Sequence, residues 1–180
     1  AIGTEADSIH FTSGQPIKNT GDWKWLKFED SEASSSFLDY CIVSHGGSSS
    51  SGTTKGNIIV ENSNLIINHS NIHSSSCHGI YANSSTYLTL TNSNIHDNSR
   101  DGIKTYRASF VDISNCEFHD NNDGICIYND TAANISDNNI YNNIYHGIRV
   151  YQNCSVDISN NKVHHNSIGI ETNSFAESDI

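Results

Sequence analysis

Two consecutive segments of the chain align residue for residue: 78-HGIYANSSTYLTLTNSNIHDNSR-100 is followed directly by 101-DGIKTYRASFVDISNCEFHDNN-122. Each segment opens on a polar residue before Gly-Ile, and this dipeptide returns at intervals of 22 or 23 residues. A period of this length indicates an array of identical supersecondary units. The five copies are Gly79-Ile80, Gly102-Ile103, Gly124-Ile125, Gly147-Ile148 and Gly169-Ile170.

Apolar residues also recur with the same period at three further positions of the repeat, which we call columns. Together with the Gly-Ile position they mark three short segments per repeat in which apolar and polar residues alternate. Alternation predicts strands with one buried face, and the abundance of Asn, Ser and Thr disfavours helix. The sequence therefore predicts an all-β fold, a right-handed parallel β-helix of about seven coils, with 22–23 residues per regular coil. The columns are Ile72, Ile95, Phe118, Ile140 and Val163; Ile67, Leu90, Ile113, Ile135 and Ile158; and Leu65, Leu88, Val111, Ala133 and Val156.

Asparagine recurs at two turn positions of the repeat. Asn tolerates the left-handed backbone of tight turns, and an inward amide satisfies turn backbone groups in coil after coil. We therefore interpret both rows as structural rather than ligand-binding. One row is Asn92, Asn115, Asp137 and Asn160, and the other is Asn98, Asn121, Asn143 and Asn166.

The period loosens towards the N-terminus. Ile9-His10-Phe11 and Trp25-Leu26-Lys27-Phe28 resemble irregular coils, and Phe37 and Ile42 are expected to continue the inward columns. The spacing from Ile42 to the next column member is longer than one period, and the excess predicts a flexible, exposed Gly/Ser insertion at residues 46–56.

We expect a single domain over residues 1–180. No cap is visible after the last repeat, and an uncapped solenoid exposes a sheet edge. We therefore expect the natural chain to continue, or a partner chain to cover this end. The sequence does not predict the oligomeric state.

Charge and cysteine content exclude several functional classes. Lys and Arg total 9 against 20 Asp and Glu, and the resulting net charge of −11 lacks the basic footprint of a nucleic-acid-binding protein. No apolar run approaches the ~18 residues of a membrane-spanning helix. The five cysteines leave at least one free thiol and form no Cys-x-x-Cys pair, so no structural zinc site is expected.

The repeats resemble those of the pectin-lyase-like superfamily of parallel β-helix proteins, most of which act on polysaccharides. Trp25-x-x-Phe28, Leu38-Asp39-Tyr40-Cys41 and Asn92-Ser93-Asn94-Ile95-His96 are also similar to segments of the archaeal disaggregatases, which degrade a chondroitin-like cell matrix. This resemblance implies an extracellular or cell-surface protein that acts on an acidic, chondroitin-like or uronate-containing polysaccharide. Adhesins and capsule-binding proteins share the fold, so activity must be argued from a site.

In such enzymes the substrate lies along the first sheet, which here corresponds to the Gly-Ile strands. Three rows of side chains project outward from it. The residues before Gly are His78, Asp101, Asp123, His146 and Ile168; those after Ile are Tyr81, Lys104, Cys126, Arg149 and Glu171; and those two further on are Asn83, Tyr106, Tyr128, Tyr151 and Asn173. We expect the substrate-binding residues to be His78, Tyr81, Tyr106, Arg107, Tyr128 and Tyr151, because aromatic faces stack on sugar rings and arginine pairs with anions.

Asp101-Gly102, Asp123-Gly124 and His146-Gly147 on successive coils are similar to the pattern of the polygalacturonase family, in which such acids carry an inverting hydrolysis. The resemblance implies that Asp101 and Asp123 are the acid and base, with His146 and Arg149 orienting groups and stabilising charge. The chain departs from that family because Asn122 replaces one Asp of an adjacent pair and because the later Arg-Ile-Lys motif is missing.

Three functions remain open at this stage. The leading hypothesis is a glycoside hydrolase without a cofactor. A polysaccharide lyase would use Arg or Ca²⁺ to neutralise a uronate carboxylate, with Lys104 or a tyrosine as base. A non-catalytic surface solenoid would bind glycan without turnover, and Asp before Gly would then be an ordinary turn residue.

A column of imidazoles is expected on the outer face of the third strand of each repeat. Stacked rings at the strand spacing of ~4.8 Å are compatible with transition-metal binding. A packing ladder is the favoured interpretation, and no metal site is assigned. The column contains His73, His96, His119, Tyr141 and His164.

Overall fold

The protein forms a right-handed parallel β-helix in a computed structural model that describes residues 1–30, 35–48 and 55–173, and the backbone of 177–179. Three parallel sheets of seven strands each form its sides, and the described residues contain no helix. No membrane-spanning helix is therefore found among them. The predicted fold class is confirmed.

Each coil contributes one strand to each sheet, in the order sheet 1, sheet 2, sheet 3 through the regular part. Sheet 1 contains the Gly-Ile strands: β2 (Leu26–Glu29), β5 (Gly56–Glu61), β8 (His78–Asn83), β11 (Ile103–Tyr106), β14 (Ile125–Tyr128), β17 (His146–Tyr151) and β20 (Ile168–Asn173). Sheet 2 contains β3 (Ser36–Asp39), β6 (Asn64–Asn68), β9 (Tyr87–Thr91), β12 (Phe110–Ser114), β15 (Ala132–Ser136), β18 (Ser155–Ser159) and β21 (Glu177–Asp179). Sheet 3 contains β1 (Ile9–Phe11), β4 (Cys41–Ser44), β7 (Asn71–His73), β10 (Asn94–His96), β13 (Glu117–His119), β16 (Asn139–Tyr141) and β19 (Lys162–His164).

The core is the stack of apolar columns that the period predicts. Ile103 pairs with Ile80 on one side and Ile125 on the other, and all three side chains are fully buried. Phe118 likewise lies between two isoleucines of sheet 3 and is fully buried. Each coil therefore packs on an almost identical neighbour, and apolar burial continues along the axis.

The glycine of each Gly-Ile pair is required by close packing at the corner between sheets 3 and 1. A Cβ on Gly102 would lie 2.7 Å from the carbonyl oxygen of Gly124, 3.0 Å from Phe118 and 3.1 Å from the Asn121 amide. Both the glycine and the following isoleucine therefore face the interior. The residue before the glycine is consequently directed outward.

The inward asparagine ladder is confirmed. Asn121 Oδ1 accepts hydrogen bonds from the backbone N–H and the side-chain amide of Asn98, and Asn121 Nδ2 donates to the carbonyls of Ile95 and His119. Asn143 repeats the arrangement one coil later. The other row, Asn92, Asn115, Asp137 and Asn160, has positive φ values of 49–57°, the left-handed geometry expected of a turn.

The register predicted for the N-terminal coils is wrong by one residue. Leu38 pairs with Ile67, and Val43 pairs with Ile72, so these two residues continue the buried columns. The side chain of Phe37 is 47% exposed, and Ile42 is only half-buried. Because side chains alternate along a strand, a slip of one residue exchanges the two faces.

The two ends of the predicted insertion at residues 46–56 are buried and hydrogen-bonded within the β-helix. Gly46 and Gly47 are buried, and their backbone N–H groups donate to Asn57 Oδ1 and to the Lys24 carbonyl, respectively. Gly56 begins β5 and is also buried. The exposed insertion predicted for these positions is therefore not seen at 46–47 or 56, and residues 49–54 lie outside the described part of the chain.

Candidate functional site

The outer face of sheet 1 brings the predicted site residues together. Strand pairing places Lys104 beside Cys126, Cys126 beside Arg149, and Arg149 beside Glu171. One row away, at the glycine corner, Asp101 and Asp123 follow each other on successive coils. Polar side chains of four coils thus form one continuous cluster, which we call the sheet 1 site.

The four polar members of the row before the glycines are buried, contrary to the expectation of a solvent-facing groove, and only Ile168 at the last coil is exposed. His78 is 1% exposed, Asp101 6%, Asp123 4% and His146 8%. The reason is that longer side chains of the next row fold back over it. Lys104 Nζ lies 3.9 Å from Asp101, and an Arg149 terminal nitrogen lies 4.0 Å from Asp123.

Asp123 belongs to a ring of four ionisable side chains, which also contains His146, Glu171 and Arg149. Its Oδ1 accepts from the backbone N–H of His146 at 3.1 Å and lies 2.8 Å from Nδ1 of the same ring. His146 Nε2 lies 3.2 Å from Glu171, and Arg149 Nε lies 3.1 Å from the same Glu171 oxygen. Both imidazole nitrogens face carboxylate oxygens, which only accept hydrogen bonds.

Asp101 has a different environment from Asp123. Burial raises the pKa of its carboxyl to about 6; the negative charge of Asp123 adds to the increase, while Lys104 opposes it. The nearest side-chain oxygens of the two aspartates lie within 4.8 Å of each other. The site therefore contains two neighbouring carboxyl groups, of which Asp101 retains a proton up to a higher pH than an ordinary aspartate.

Lys104 lies above the two acids. Its Nζ lies 3.3 Å from Cys126 Sγ and 3.3 Å from the Tyr151 hydroxyl, and it faces the rings of Tyr128 and Tyr151. Burial alone would lower the pKa of Lys104, but its neighbours Cys126, Asp101 and Tyr151 outweigh burial and raise it. Lys104 is therefore a firmly charged cation at the centre of the site.

The tyrosines form one wall of the sheet 1 site. The Tyr128 and Tyr151 rings stack with centroids 4.3 Å apart, and Tyr106 lies at a 56° tilt 5.4 Å from Tyr128. Arg149 packs on Tyr151 at 4.7 Å from its ring centroid. All three rings are partly exposed, so they present apolar surface beside the cations.

Three of the predicted substrate-binding residues lie apart from the acids or cannot present a free surface. Arg107 is exposed and packs on Tyr106, at the end of the tyrosine wall. Tyr81 is 4% exposed and its ring lies 6.0 Å from that of His78, so neither offers an open stacking face. Burial raises the pKa of Tyr81 to about 12.

Glu171 and Cys126 are the contributors that sequence reasoning did not assign to the site. Both stand in the row after the isoleucines, and that position was the available signal. Burial raises the pKa of the Cys126 thiol to about 12, which keeps it neutral. Cys126 and the two aspartates offer three donor atoms within 4.8 Å, but the Lys104 ammonium lies at 3.3 Å from one of them and 3.9 Å from another, where it opposes a second cation.

The imidazole column on sheet 3 is a stacked ladder. Consecutive rings lie 4.8–5.3 Å apart with interplanar angles of 4–13°. His96 contacts Asp97 through Nδ1 and Asn71 through Nε2, so neighbouring side chains occupy both of its ring nitrogens. This geometry supports the packing interpretation. The stacked members are His73, His96, His119, Tyr141 and His164.

All five cysteines are buried free thiols, so the fold is held without disulfides: Cys41, Cys77, Cys116, Cys126 and Cys154.

Comparison with known proteins identifies the repeat. A family profile described as "Right handed beta helix region" matches residues 56–179. No curated protein matches the sequence. Among solved structures, the A-module of a mannuronan C-5 epimerase from Azotobacter vinelandii aligns with a TM-score of 0.24 and 12% sequence identity. The alignment covers 88% of this chain and 57% of the epimerase module, so the chain spans little more than half of that module's length.

Proposed function

The chain belongs to the family of right-handed β-helix regions, and on that premise we propose that its sheet 1 site hydrolyses glycosidic bonds of an acidic polysaccharide. The substrate class is a chondroitin-like or other uronate-containing cell-matrix glycan. A polymer of this kind is met outside the cell, so the proposal includes an extracellular or cell-surface location. It requires no cofactor.

The observation that carries the proposal is a pair of carboxyl groups in opposed environments. Asp101 has a pKa of about 6, whereas Asp123 contacts His146 at 2.8 Å and lies near Arg149. Two neighbouring acids whose surroundings favour different protonation states are the pattern of a general acid with a charged partner. We assign the general acid to Asp101 and the charged partner to Asp123.

The positive charges explain why the substrate would be anionic. Lys104 covers Asp101, so a sugar must displace this side chain before its glycosidic oxygen reaches the acid. A uronate carboxylate supplies the counter-charge for Lys104 and Arg149. Removal of the ammonium from Asp101 would favour the protonated acid still further, because Lys104 lowers the pKa of that carboxyl.

The separation of the acids gives the proposal a stereochemical consequence. Retaining glycosidases place their carboxyl groups ~5–5.5 Å apart, and inverting enzymes ~6.5–9.5 Å. Nearest oxygens within 4.8 Å favour the retaining spacing. Retention would distinguish this chain from the inverting polygalacturonases that its Asp-Gly pattern resembles.

The test is incubation of the protein with chondroitin, alginate and polygalacturonate, while reducing ends and ultraviolet absorbance are followed together. Hydrolysis produces reducing ends without an absorbing product, and nuclear magnetic resonance of the first products reports the anomeric configuration. Asp101→Asn should reduce turnover ~10²–10⁴-fold, the range expected for loss of a general acid.

Asp157→Asn is the matched control, because Asp157 lies exposed on sheet 2. It should leave turnover unchanged. Unchanged turnover in Asp101→Asn combined with Asp123→Asn would overturn the assignment of the acids.

A lyase is the second candidate, and the contact between Lys104 and Tyr151 favours it. The Lys104 ammonium donates to the Tyr151 hydroxyl at 3.3 Å and opposes the rise in the Tyr151 pKa that burial causes, so Tyr151 is the candidate base for the C5 proton of a uronate. In this alternative, Arg149 or Ca²⁺ would neutralise the uronate carboxylate. An unsaturated, ultraviolet-absorbing product would establish it, with Lys104→Ala more damaging than Asp123→Asn. Binding of glycan without any product would instead indicate a surface solenoid.

A further inference from the structure

A second depression lies on the outer face of sheet 1, in line with the sheet 1 site but closer to the N-terminus. Its position follows from the strand register, because Lys27 pairs with Ile59, Ile59 with Tyr81, and Tyr81 with Lys104. Three coil steps at ~4.8 Å separate Lys27 from Lys104, a distance of about 14 Å. A polymer that extends along the β-helix axis from Lys104 would therefore pass over this depression.

The depression combines an apolar floor with a polar rim. Ile59 and Tyr81 form the floor, and the half-buried indole of Trp25 stands at one side, with the Lys24 ammonium over its ring at 5.8 Å from the centroid. Lys55, Lys27, Glu61 and Asn83 complete the lining. Concave sites with an aromatic surface and a few polar groups are suited to small polar ligands, and an indole face stacks on the C–H face of a pyranose ring.

The charges of the rim favour a hydroxyl-bearing, uncharged ligand. Lys27 Nζ contacts Glu29 at 2.7 Å and Glu61 at 2.9 Å, so two carboxylates already neutralise this ammonium. Lys55 also has a polar or electrostatic partner. Carboxylate oxygens accept hydrogen bonds from sugar hydroxyls, and the side-chain amide of Asn83 both donates and accepts.

We propose that this depression is a remote subsite that binds an uncharged sugar unit of the same polysaccharide chain, with Trp25 as its stacking platform. The inference rests on the proposed function of the sheet 1 site and specifies its substrate further. The substrate is then a long chain that spans at least four coils, with an acidic unit at Lys104 and a neutral unit at Trp25. Short oligosaccharides would occupy only one of the two positions.

The experiment compares binding of size-graded chondroitin, alginate and polygalacturonate oligomers by isothermal titration calorimetry. The wild-type protein should bind long oligomers more tightly than short ones. Trp25→Ala should weaken binding of long chondroitin oligomers, which contain an uncharged unit, roughly three- to tenfold, the range expected for one aromatic contact. It should leave short chondroitin oligomers, and the all-uronate alginate and polygalacturonate oligomers, unaffected. Trp25→Tyr, which retains an aromatic face, should restore most of the affinity.

Tyr87→Ala is the control, because Tyr87 is an exposed aromatic on sheet 2. This substitution should change neither the affinity for short oligomers nor the affinity for long ones. Equal loss for short and long oligomers, or no loss with Trp25→Ala, would overturn the remote subsite while leaving the proposed hydrolysis in place. Failure of the wild-type protein to bind or cleave any of the three glycans would overturn the proposed function and the subsite together.

Discussion

The inner asparagine ladder and the outer row at the glycine corner run side by side through the same coils, but they differ in how residues repeat. The ladder has the same residue in four consecutive coils, and its amides bond to the coil before and the coil after. The outer row changes from coil to coil, with His78, Asp101, Asp123 and His146 in turn. Both rows are buried, so burial alone does not separate them.

This difference separates rows with a structural role from rows with a candidate chemical role in a solenoid. An identical side chain in every coil solves the same backbone problem each time, here the unpaired groups of a turn. A row whose members differ cannot form a uniform ladder, and each member needs its own partner. Asp123 contacts His146, which also contacts Glu171, whereas Asp101 lies 3.4 Å from His78 and additionally faces the like charge of Asp123 and the covering Lys104. The changing row is where function is proposed.

Substitution of Asn121 by Leu should have the largest effect on stability, because it breaks the repeating row. The change would leave the Asn98 N–H and the carbonyls of Ile95 and His119 without their amide partner in the core. At ~1–3 kcal/mol for each buried unsatisfied group, the loss should be at least about 3 kcal/mol. Urea denaturation of the wild type and the variant measures it.

Asn115→Gly is the matched control for that substitution. Asn115 is exposed and has a φ of 54°, a conformation that glycine adopts without strain. The free energy of unfolding should change by less than about 0.5 kcal/mol. A loss equal to that of Asn121→Leu would show that the ladder is no more important than the outer turn row.

Asp101→Asn should raise the free energy of unfolding at neutral pH, whereas Asn121→Leu lowers it, because the substitution removes a buried carboxylate. The pKa of Asp101 is about 6 in the folded protein against 3.8 for the ordinary carboxyl, so the folded state binds the proton more tightly. Stability due to this group is fully present below about pH 3.8 and is lost as the pH rises to about 6. At pH 7.5 the variant should therefore be more stable than the wild type, by roughly 1 to 3 kcal/mol.

The comparison that tests this sign is thermal unfolding of both proteins at pH 4 and pH 7.5. The advantage of Asp101→Asn should be clear at pH 7.5 and absent at pH 4. An advantage that does not change with pH would rule out the titration of Asp101 as its cause.

The repeating part of the molecule could be predicted from sequence, and the changing part only incompletely. Columns such as Ile80–Ile103–Ile125 reveal both the coil and the inward face, because identical coils stack in register. The N-terminal coils contain too few copies to fix the register, and a slip of one residue there placed Phe37 inward instead of Leu38. The burial of Asp123 depends on how Arg149 folds over it, and that of Asp101 on Lys104; these side-chain conformations leave no periodic trace in the sequence.

Glu171→Gln should affect the outer row alone. It removes the carboxylate that contacts His146 and Arg149, the neighbours of Asp123, and leaves the asparagine ladder unchanged. The Glu171 side chain is 35% exposed, so its loss should cost less than about 1 kcal/mol of stability. If the proposed hydrolysis holds, turnover should fall more than stability does, and its pH profile should shift, because His146 and Arg149 lose a shared carboxylate. A fall in turnover without any change in pH profile would indicate a purely structural role for Glu171.

A last comparison concerns the sheet 3 ladder, in which histidine and tyrosine occupy equivalent positions. Burial, followed by the charges of His96 and His45, lowers the pKa of His73 to about 4 from 6.5, so the unfolded chain binds a proton between these values and the folded protein does not. Stability should therefore be lost as the pH falls from about 6.5 to about 4. Tyr141 shows that the stack accepts tyrosine, and His73→Tyr should retain the stacking while removing this part of the pH dependence. Melting temperatures from pH 4 to 7 would measure the change, with His10→Tyr at an exposed position as control. An equally steep pH dependence in His73→Tyr would show that His73 does not contribute to acid destabilisation.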